Sequence, residues 1–152
     1  MHLSNVCFFE PRFIDQVMEI ENDSFSIPWV SSGFIEELGI PGSFIFLAID
    51  DSGCVEGFIV FRILLDEIHL LKIAVRREDR RFGIAMSLMA KMFEIARLKK
   101  AHVIYLEVSA LNSSAISLYK KNGFIETGIR YKYYGEEDAL NMECILDSMN
   151  SC

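Results

Sequence analysis

The chain has 152 residues, of which 51% are hydrophobic, and a formal net charge of −7. This length and composition fit one domain with a single large core, so we expect residues 1–152 to form one domain. Uncharged runs such as 24–35 and 38–49 reach at most 12 residues and cannot span a bilayer. The N-terminus lacks the pattern of a signal peptide, so we expect a cytoplasmic protein without membrane contact.

The acidic balance disfavours nonspecific binding of nucleic acid and suits a basic peptide or an amine as the partner. The four cysteines, Cys7, Cys54, Cys144 and Cys152, contain no C-x-x-C pair. We therefore expect reduced thiols, no disulfide framework and no metal site.

The first third of the chain predicts a strand, two helices and an aromatic loop. Residues 6–9 predict a strand, and Pro11 suits the start of a helix that continues to about Asn22. A loop with Phe25 and Trp29 follows, and then a short helix over 32–38. Packing alone would explain both aromatic side chains.

A hairpin and a third strand come next. Residues 44–49 and 55–64 predict apolar strands, and the turn signal at 50–53 joins them. The run Leu70 to Val75 is nearly all apolar, which predicts a strand buried on both faces. Glu67 and His69 are two residues apart near its start, so both face the same side and are second-rank candidates for a base.

The segment after this strand combines arginines, a glycine and a long amphipathic helix. Residues 72–100 hold nine basic and three acidic residues, a net charge of +6, which leaves −13 for the remaining residues. A helix start offers free amide groups and a partial positive charge, so this local reversal favours a polyanionic ligand of nucleotide size. The alternative is a solvated arginine loop that is capped by Glu78 and Asp79.

The last third of the chain predicts a strand over 103–108, a helix with Asn112 or Ser113 as its N-cap, and a closing hairpin. The hairpin strands are 124–134 and 139–146, with a turn at 135–138. Together the elements predict an α/β (α+β) fold with a mixed, mostly antiparallel sheet of about seven strands and about four helices.

The run Arg80-Arg81-Phe82-Gly83-Ile84-Ala85 resembles the Arg/Gln-x-x-Gly-x-Gly/Ala signature of the GCN5-related N-acetyltransferase (GNAT) superfamily. Its neighbours extend the resemblance to the RimI-type ribosomal-protein alanine N-acetyltransferases over nearly the whole chain. They are Asp66-Glu67, Leu70 to Val75, Leu106-Glu107-Val108, Asn112, Ala115-Ile116, Leu118-Tyr119, Gly123-Phe124, Tyr133-Tyr134 and Glu137-Asp138-Ala139.

The resemblance implies an acetyltransferase with acetyl-CoA as the donor and no metal. It assigns Glu107 as the base and Tyr119 as the acid that protonates the thiolate of CoA. Without it, Glu107 could be a solvated edge residue and Tyr119 a core residue. Whether Glu107 would act directly or through water stays open.

The resemblance also implies which residues bind the two substrates. The residues that would line the acceptor peptide are Phe25, Trp29, Tyr133 and Tyr134. Glu137 and Asp138 would add negative charge near a basic acceptor segment. For the two tyrosines, packing within the hairpin is the alternative. Asn112 could contact the cofactor and also cap its helix. The complete set implied for the cofactor is Ile73, Ala74, Val75, Arg80, Arg81, Phe82, Gly83, Ile84, Ala85, Asn112 and Tyr119.

The chemistry of the amine favours a protein N-terminus as the acceptor. An α-amine with a pKa near 8 costs about 1 kcal/mol to deprotonate at neutral pH, and lysine costs about 4 to 5 kcal/mol. This chemistry favours α-amines over lysine side chains, and the resemblance implies acetylation of an N-terminal alanine or small residue on a ribosomal protein. The alternatives are acetylation of a small-molecule amine and a noncatalytic acyl-CoA-binding module.

Three residues depart from the RimI-type pattern. Lys72 stands where asparagine is usual, Ser109 where arginine is usual, and Leu111 where serine is common. None of these departures falls in the cofactor loop or at Glu107 and Tyr119. They fall near the acceptor side, so the identity of the acceptor is the prediction that they affect.

Overall fold

The computed structural model describes residues 5–135 and 137–146, with the side chain of Tyr134 left out. Within these residues there are seven strands and four α-helices. The strands are β1 (Asn5–Phe8), β2 (Ser43–Ile49), β3 (Val55–Leu64), β4 (Glu67–Val75), β5 (Val103–Ser109), β6 (Ile125–Tyr134) and β7 (Glu137–Ile145). The helices are α1 (Ile14–Ser24), α2 (Ser31–Glu37), α3 (Ile84–Leu98) and α4 (Ser113–Lys121).

The strands form one mixed sheet in the order β1-β2-β3-β4-β5-β7-β6. Strands β4 and β5 run parallel, whereas β1 with β2, β2 with β3, β5 with β7, and β6 with β7 pair antiparallel. This confirms the predicted α/β fold and its seven strands. No helix in the described ranges is long and apolar enough to cross a membrane.

The described residues fall into two compact units. The first comprises residues up to 62 and 72–95, and the second comprises 63–71 and the residues from 96 onward. In the first unit, α1 buries Val17, Ile20 and Glu21 on one face, at the spacing of an amphipathic helix. Its core gathers Phe9, Phe13, Phe34, Ile45, Leu47, Val55, Phe58, Val60 and Ala74 around them.

The second unit builds its core from β5, α4 and β7. Val103, Ile104, Leu106 and Val108 of β5 are buried, as are Ala139, Leu140, Met142 and Cys144 of β7. Tyr119 of α4 packs on Phe124, with ring centres 5.7 Å apart.

Two predictions about strands were wrong. Strand β4 is not buried on both faces: Ile68, Leu70 and Ala74 alternate with half-exposed neighbours, and Leu71 is 37% exposed. The strand buries one face, which includes Lys72, while residues 67, 69, 71, 73 and 75 lie on the other, more accessible face. The closing turn is also shorter than 135–138, because β7 starts at Glu137 and pairs there with Tyr134.

Candidate active site

The arginine loop between β4 and α3 divides into two pairs of side chains with different surroundings. Nε of Arg76 lies 2.6 Å from Oδ2 of Asp79, and Arg77 lies 2.9 Å from Asp23. The hydrogen bond to Asp79 raises the pKa of Arg76 above its usual value. The ion pair with Asp79 therefore explains the presence of Arg76 by local capping. Arg80 and Arg81 are exposed.

Gly83 gives the loop its open backbone at the start of α3. Its φ is +79°, which favours glycine, and among the described residues no atom beyond its two chain neighbours lies within 4 Å of the position that a Cβ would take. The amide of Ser87 bonds to the carbonyl of Gly83 at 3.1 Å and opens the helical ladder. Amides that precede this bond have no helical acceptor, so this open helix start fits an anion.

The remaining loop residues implied for the cofactor differ in exposure. Phe82 is 57% exposed, whereas Ile84 is 2% exposed and anchors the first turn of α3 in the core. Ala85 is half-buried. Nε of Arg80 donates to the carbonyl of Val75 at 3.1 Å, which ties the loop to the end of β4.

The end of strand β4 carries Ile73, Ala74 and Val75. In the described part of the chain, β4 and β5 pair at three positions, of which His69 with Tyr105 is the last. Residues 73–75 lie beyond that pair. The backbone groups of this segment could therefore accept an extended ligand, as expected for the pantetheine arm.

Glu107 lies on β5, which is an interior strand of the sheet. The side chain of Glu107 is 34% exposed although it is flanked by buried Leu106 and Val108. In the sheet order β5 lies between β4 and β7, but its pairing with β4 in the described residues ends at Tyr105, so Glu107 has a strand partner only in Asn141 of β7 and both interpretations of Glu107 stay open. An accessible carboxylate inside a sheet can exchange a proton with a bound amine.

Three further titratable groups, Tyr105, His69 and Glu67, share the face of Glu107. Tyr105, two residues earlier on β5, has its ring 5.4 Å from that of His69, and Nε2 of His69 lies 3.4 Å from Oε1 of Glu67. Partial desolvation, followed by the nearby carboxylate of Glu67, raises the pKa of Tyr105. The predicted second-rank candidates thus form a cluster around Tyr105.

Tyr119 and Asn112 belong to α4 and its start. Tyr119 is 7% exposed, so its burial agrees with the core interpretation, and the role as an acid stays a prediction. Oδ1 of Asn112 accepts a hydrogen bond from the amide of Ala115 at 3.2 Å, which confirms the predicted N-cap. Asn112 is exposed, so the same side chain remains accessible to a ligand.

The two aromatic residues predicted to line the acceptor, Phe25 and Trp29, both lie against the ammonium of Lys72. Nζ of Lys72 lies 4.0 Å from the ring centre of Phe25 and 4.7 Å from that of Trp29. The same nitrogen lies 2.7 Å from Oε2 of Glu21. Both aromatic side chains are half-buried, so they contact the protein and also retain exposed surface.

The hairpin residues differ in what they contact. Tyr133 is 51% exposed, and the guanidinium carbon of Arg130 lies 4.1 Å from its ring centre. The side chain of Tyr134 is outside the described part of the chain. Glu137 accepts from Oγ of Ser109 at 2.7 Å, and Asp138 accepts from the amide of Lys132 at 2.9 Å, so both carboxylates already bind the protein.

Two contacts were missed from the sequence. One is the pair of Glu21 and Lys72, and the other is Arg130, whose Nε lies 3.4 Å from Oε2 of Glu107. A signal existed for the first: a glutamate continues the apolar stripe of α1, and a lysine interrupts the apolar run of β4. Opposite charges inside two apolar patterns indicate a buried ion pair.

The mixed sheet with its arginine- and glycine-containing loop has the architecture of an α/β acyltransferase. Residues 14–124 match the acetyltransferase (GNAT) family. The chain is 36% identical over 131 residues to a Bacillus subtilis protein provisionally named ribosomal protein bS18-alanine N-acetyltransferase, which covers 85% of this chain and 87% of that protein. The Escherichia coli enzyme of that name is 28% identical over 144 residues, covering 92% and 96%.

The solved structure of the E. coli ribosomal-protein-S18-alanine N-acetyltransferase is also similar. It has a TM-score of 0.86 at 25% identity and covers 97% of this chain and 98% of that one. The chain therefore belongs to the acetyltransferase (GNAT) family and is an N-acetyltransferase.

Proposed function

We propose that this enzyme transfers the acetyl group of acetyl-CoA to the N-terminal α-amine of a ribosomal protein that begins with alanine or another small residue. The relatives named as bS18-alanine N-acetyltransferases match it over most of its length. The match to the acetyltransferase (GNAT) family covers residues 14–124 and so includes residues of both compact units. We therefore propose that residues 1–152 act as one domain. Its place of action is the cytoplasm, where ribosomal proteins are made.

The proposed donor site is the start of α3 and the end of β4. The amides of 82–85 and the guanidiniums of Arg80 and Arg81 would bind the diphosphate of acetyl-CoA, and Asn112 would add a polar contact. Backbone groups of 73–75 would bind the pantetheine arm. Acetyl-CoA would supply a thioester whose acetyl carbon is open to attack by an uncharged amine.

The observation that carries the proposal is the accessible carboxylate of Glu107 on an interior strand. The carboxylate would accept a proton from the α-ammonium of the acceptor, directly or through water. The hydroxyl of Tyr119 would donate a proton to the departing sulfur. Phe25, Trp29, Tyr133 and Tyr134 would line the acceptor. An α-amine suits a glutamate base because its deprotonation at neutral pH costs only about 1 kcal/mol.

The test uses peptides that separate an α-amine from a lysine side chain. A peptide with free N-terminal alanine and an internal lysine is compared with the same peptide blocked at its N-terminus, in the presence of acetyl-CoA. Tandem mass spectrometry should find one acetyl group on the α-amine of the first peptide and none on the second. Acetylation of the internal lysine, or of polyamines in preference to both peptides, would overturn the proposal.

A further inference from the structure

A buried ion pair lies outside the residues that the proposed mechanism uses. Nζ of Lys72 is 2.7 Å from Oε2 of Glu21, and the two side chains are 8% and 0% exposed. Glu21 belongs to the last turns of α1, and Lys72 to the buried face of β4. Charges at such depth persist only when they are paired, so each side chain holds the other in place.

The pair also holds the loop that follows α1. The amide of Trp29 donates to Oε2 of Glu21 at 2.8 Å, which fixes the backbone of the loop. The ammonium of Lys72 contacts the ring faces of Phe25 and Trp29, at 4.0 and 4.7 Å from their centres. A desolvated cation on two aromatic faces attracts both rings.

Aromatic packing also holds this loop against the core. The ring of Trp29 lies 5.0 Å from that of Phe34, which packs edge-on against Phe58 at 5.5 Å. Oε1 of Glu21 is buried and has no hydrogen-bond partner among the described residues. Lys72 and the amide of Trp29 are therefore the described contacts of this carboxylate, and loss of Lys72 would leave it without a countercharge.

We propose that Lys72 is a positioning residue that determines acceptor specificity by holding Phe25 and Trp29 in a fixed wall. The inference rests on the proposed function, which places the acceptor beside these two rings. One ring face of each is occupied by the protein's own ammonium, which would repel a second cation, so the wall is suited to an uncharged first side chain. An asparagine, usual at this position in the RimI-type pattern, would carry no charge to bind the rings.

The decisive variant is Glu21→Gln with Lys72→Met, which removes both charges and nearly preserves both shapes. The amide oxygen that Glu21→Gln introduces can still accept from the amide of Trp29. The matched control is Glu126→Gln with Lys120→Met, which neutralises an exposed pair 3.1 Å apart. Trp29 is the only tryptophan, so its fluorescence reports on the loop without reference to activity.

In the double variant, acrylamide quenching of Trp29 should rise about twofold, because the loop loses the ammonium that contacts both of its aromatic rings. The KM for the alanine peptide should rise about tenfold, while kcat and the KM for acetyl-CoA change less than about twofold. The control variant should match the wild type in Trp29 quenching, in kcat and in the KM values for the peptide and for acetyl-CoA. Lys72→Arg, which keeps the charge and stacks on aromatic rings, should restore most of the peptide KM.

Unchanged quenching in a folded double variant would overturn the proposal, as would a loss confined to kcat or to acetyl-CoA. If the double variant does not fold, Glu21→Gln with Lys72→Gln decides by Trp29 quenching and the peptide KM, since it also removes both charges but keeps two side chains that can hydrogen-bond to each other. Failure of the proposed function would be recognised separately, because the wild type would then acetylate no peptide. Quenching of Trp29 would still show whether Lys72 holds the loop.

Discussion

Arg130 lies beside the proposed base, with its Nε 3.4 Å from Oε2 of Glu107. The two residues are on β6 and β5, and β7 runs between them. Ala139 of β7 is the partner of Arg130 in the strand register, and its small side chain lets the guanidinium reach across the strand. The pair is half-exposed, so we expect it to contribute less than about 1 kcal/mol to stability and to act by orienting the carboxylate.

Replacing Arg130 should therefore affect activity more than stability. In Arg130→Gln, kcat/KM for the peptide should fall about tenfold, since Glu107 loses the cation that orients it. The free energy of unfolding should change by less than about 1 kcal/mol in urea denaturation. Arg130→Lys keeps the charge and should recover part of the activity. Full activity of both variants would show that the contact has no role in turnover.

Glu107→Gln should abolish most of the turnover but preserve donor binding. Loss of a general base typically lowers kcat by about 10² to 10⁴, and Gln cannot accept the proton. The measurements are steady-state kinetics and calorimetry with acetyl-CoA, whose Kd should stay within about twofold of the wild type. The matched control is Glu143→Gln on β7, opposite Tyr105 in the register. Equal losses in the two variants would contradict a specific role for Glu107.

Elements with a clear pattern were predictable from the sequence. Strand β3 has both ends where the apolar run predicts them, at Val55 and Leu64, and α3 starts directly after Gly83. These patterns are local: period-two or period-3.6 burial and a turn residue decide them within a few positions.

The surroundings of the candidate site were not predictable in the same way. Glu21 and Lys72 are 51 residues apart, and no local rule pairs a helix with a strand at that separation. The contact of Arg130 with Glu107 could not be predicted for another reason. Strand β6 has register irregularities between 126 and 128 and between 130 and 134, so simple alternation does not show which residues share a face.

Gly83→Ala tests the open loop against a glycine in the same backbone conformation. Gly53, in the turn between β2 and β3, has a φ of +88°, and as at Gly83 the described residues beyond its chain neighbours leave the position of a Cβ free to 4 Å. Either alanine should lower the free energy of unfolding by about 1 to 2 kcal/mol. Only Gly83→Ala should also weaken acetyl-CoA binding, by about tenfold in calorimetry, since its backbone would contact the diphosphate. Equal Kd values for the two variants would contradict this site.

Glu37 should make stability depend on pH. Its side chain is 4% exposed, and it accepts two hydrogen bonds from Arg62, at 2.7 and 2.8 Å. These bonds hold the pKa of Glu37 below its usual value, so the stabilisation is present above the pKa of the unfolded chain and is lost as the pH falls through the folded pKa.

Glu37→Gln should accordingly lower the free energy of unfolding by about 1.5 to 3 kcal/mol at pH 7. The difference from the wild type should shrink below about pH 4.3, where the unfolded carboxyl takes up its proton. Urea denaturation over a pH series measures both. Glu36→Gln, an exposed neighbour on the same helix, should be neutral throughout. A constant difference at every pH would exclude titration of Glu37 as the cause.

The pair of Glu21 and Lys72 should show strong coupling in a double-mutant cycle of unfolding free energies. Lys72→Met leaves a fully buried carboxylate without its cation, so it should destabilise the fold by about 3 to 5 kcal/mol. Glu21→Gln leaves a buried ammonium and should cost a similar amount. The double variant buries no charge, so it should be more stable than Lys72→Met alone, with a coupling energy of at least about 2 kcal/mol. Additive losses would mean that the two side chains contribute independently and do not hold the loop as a unit.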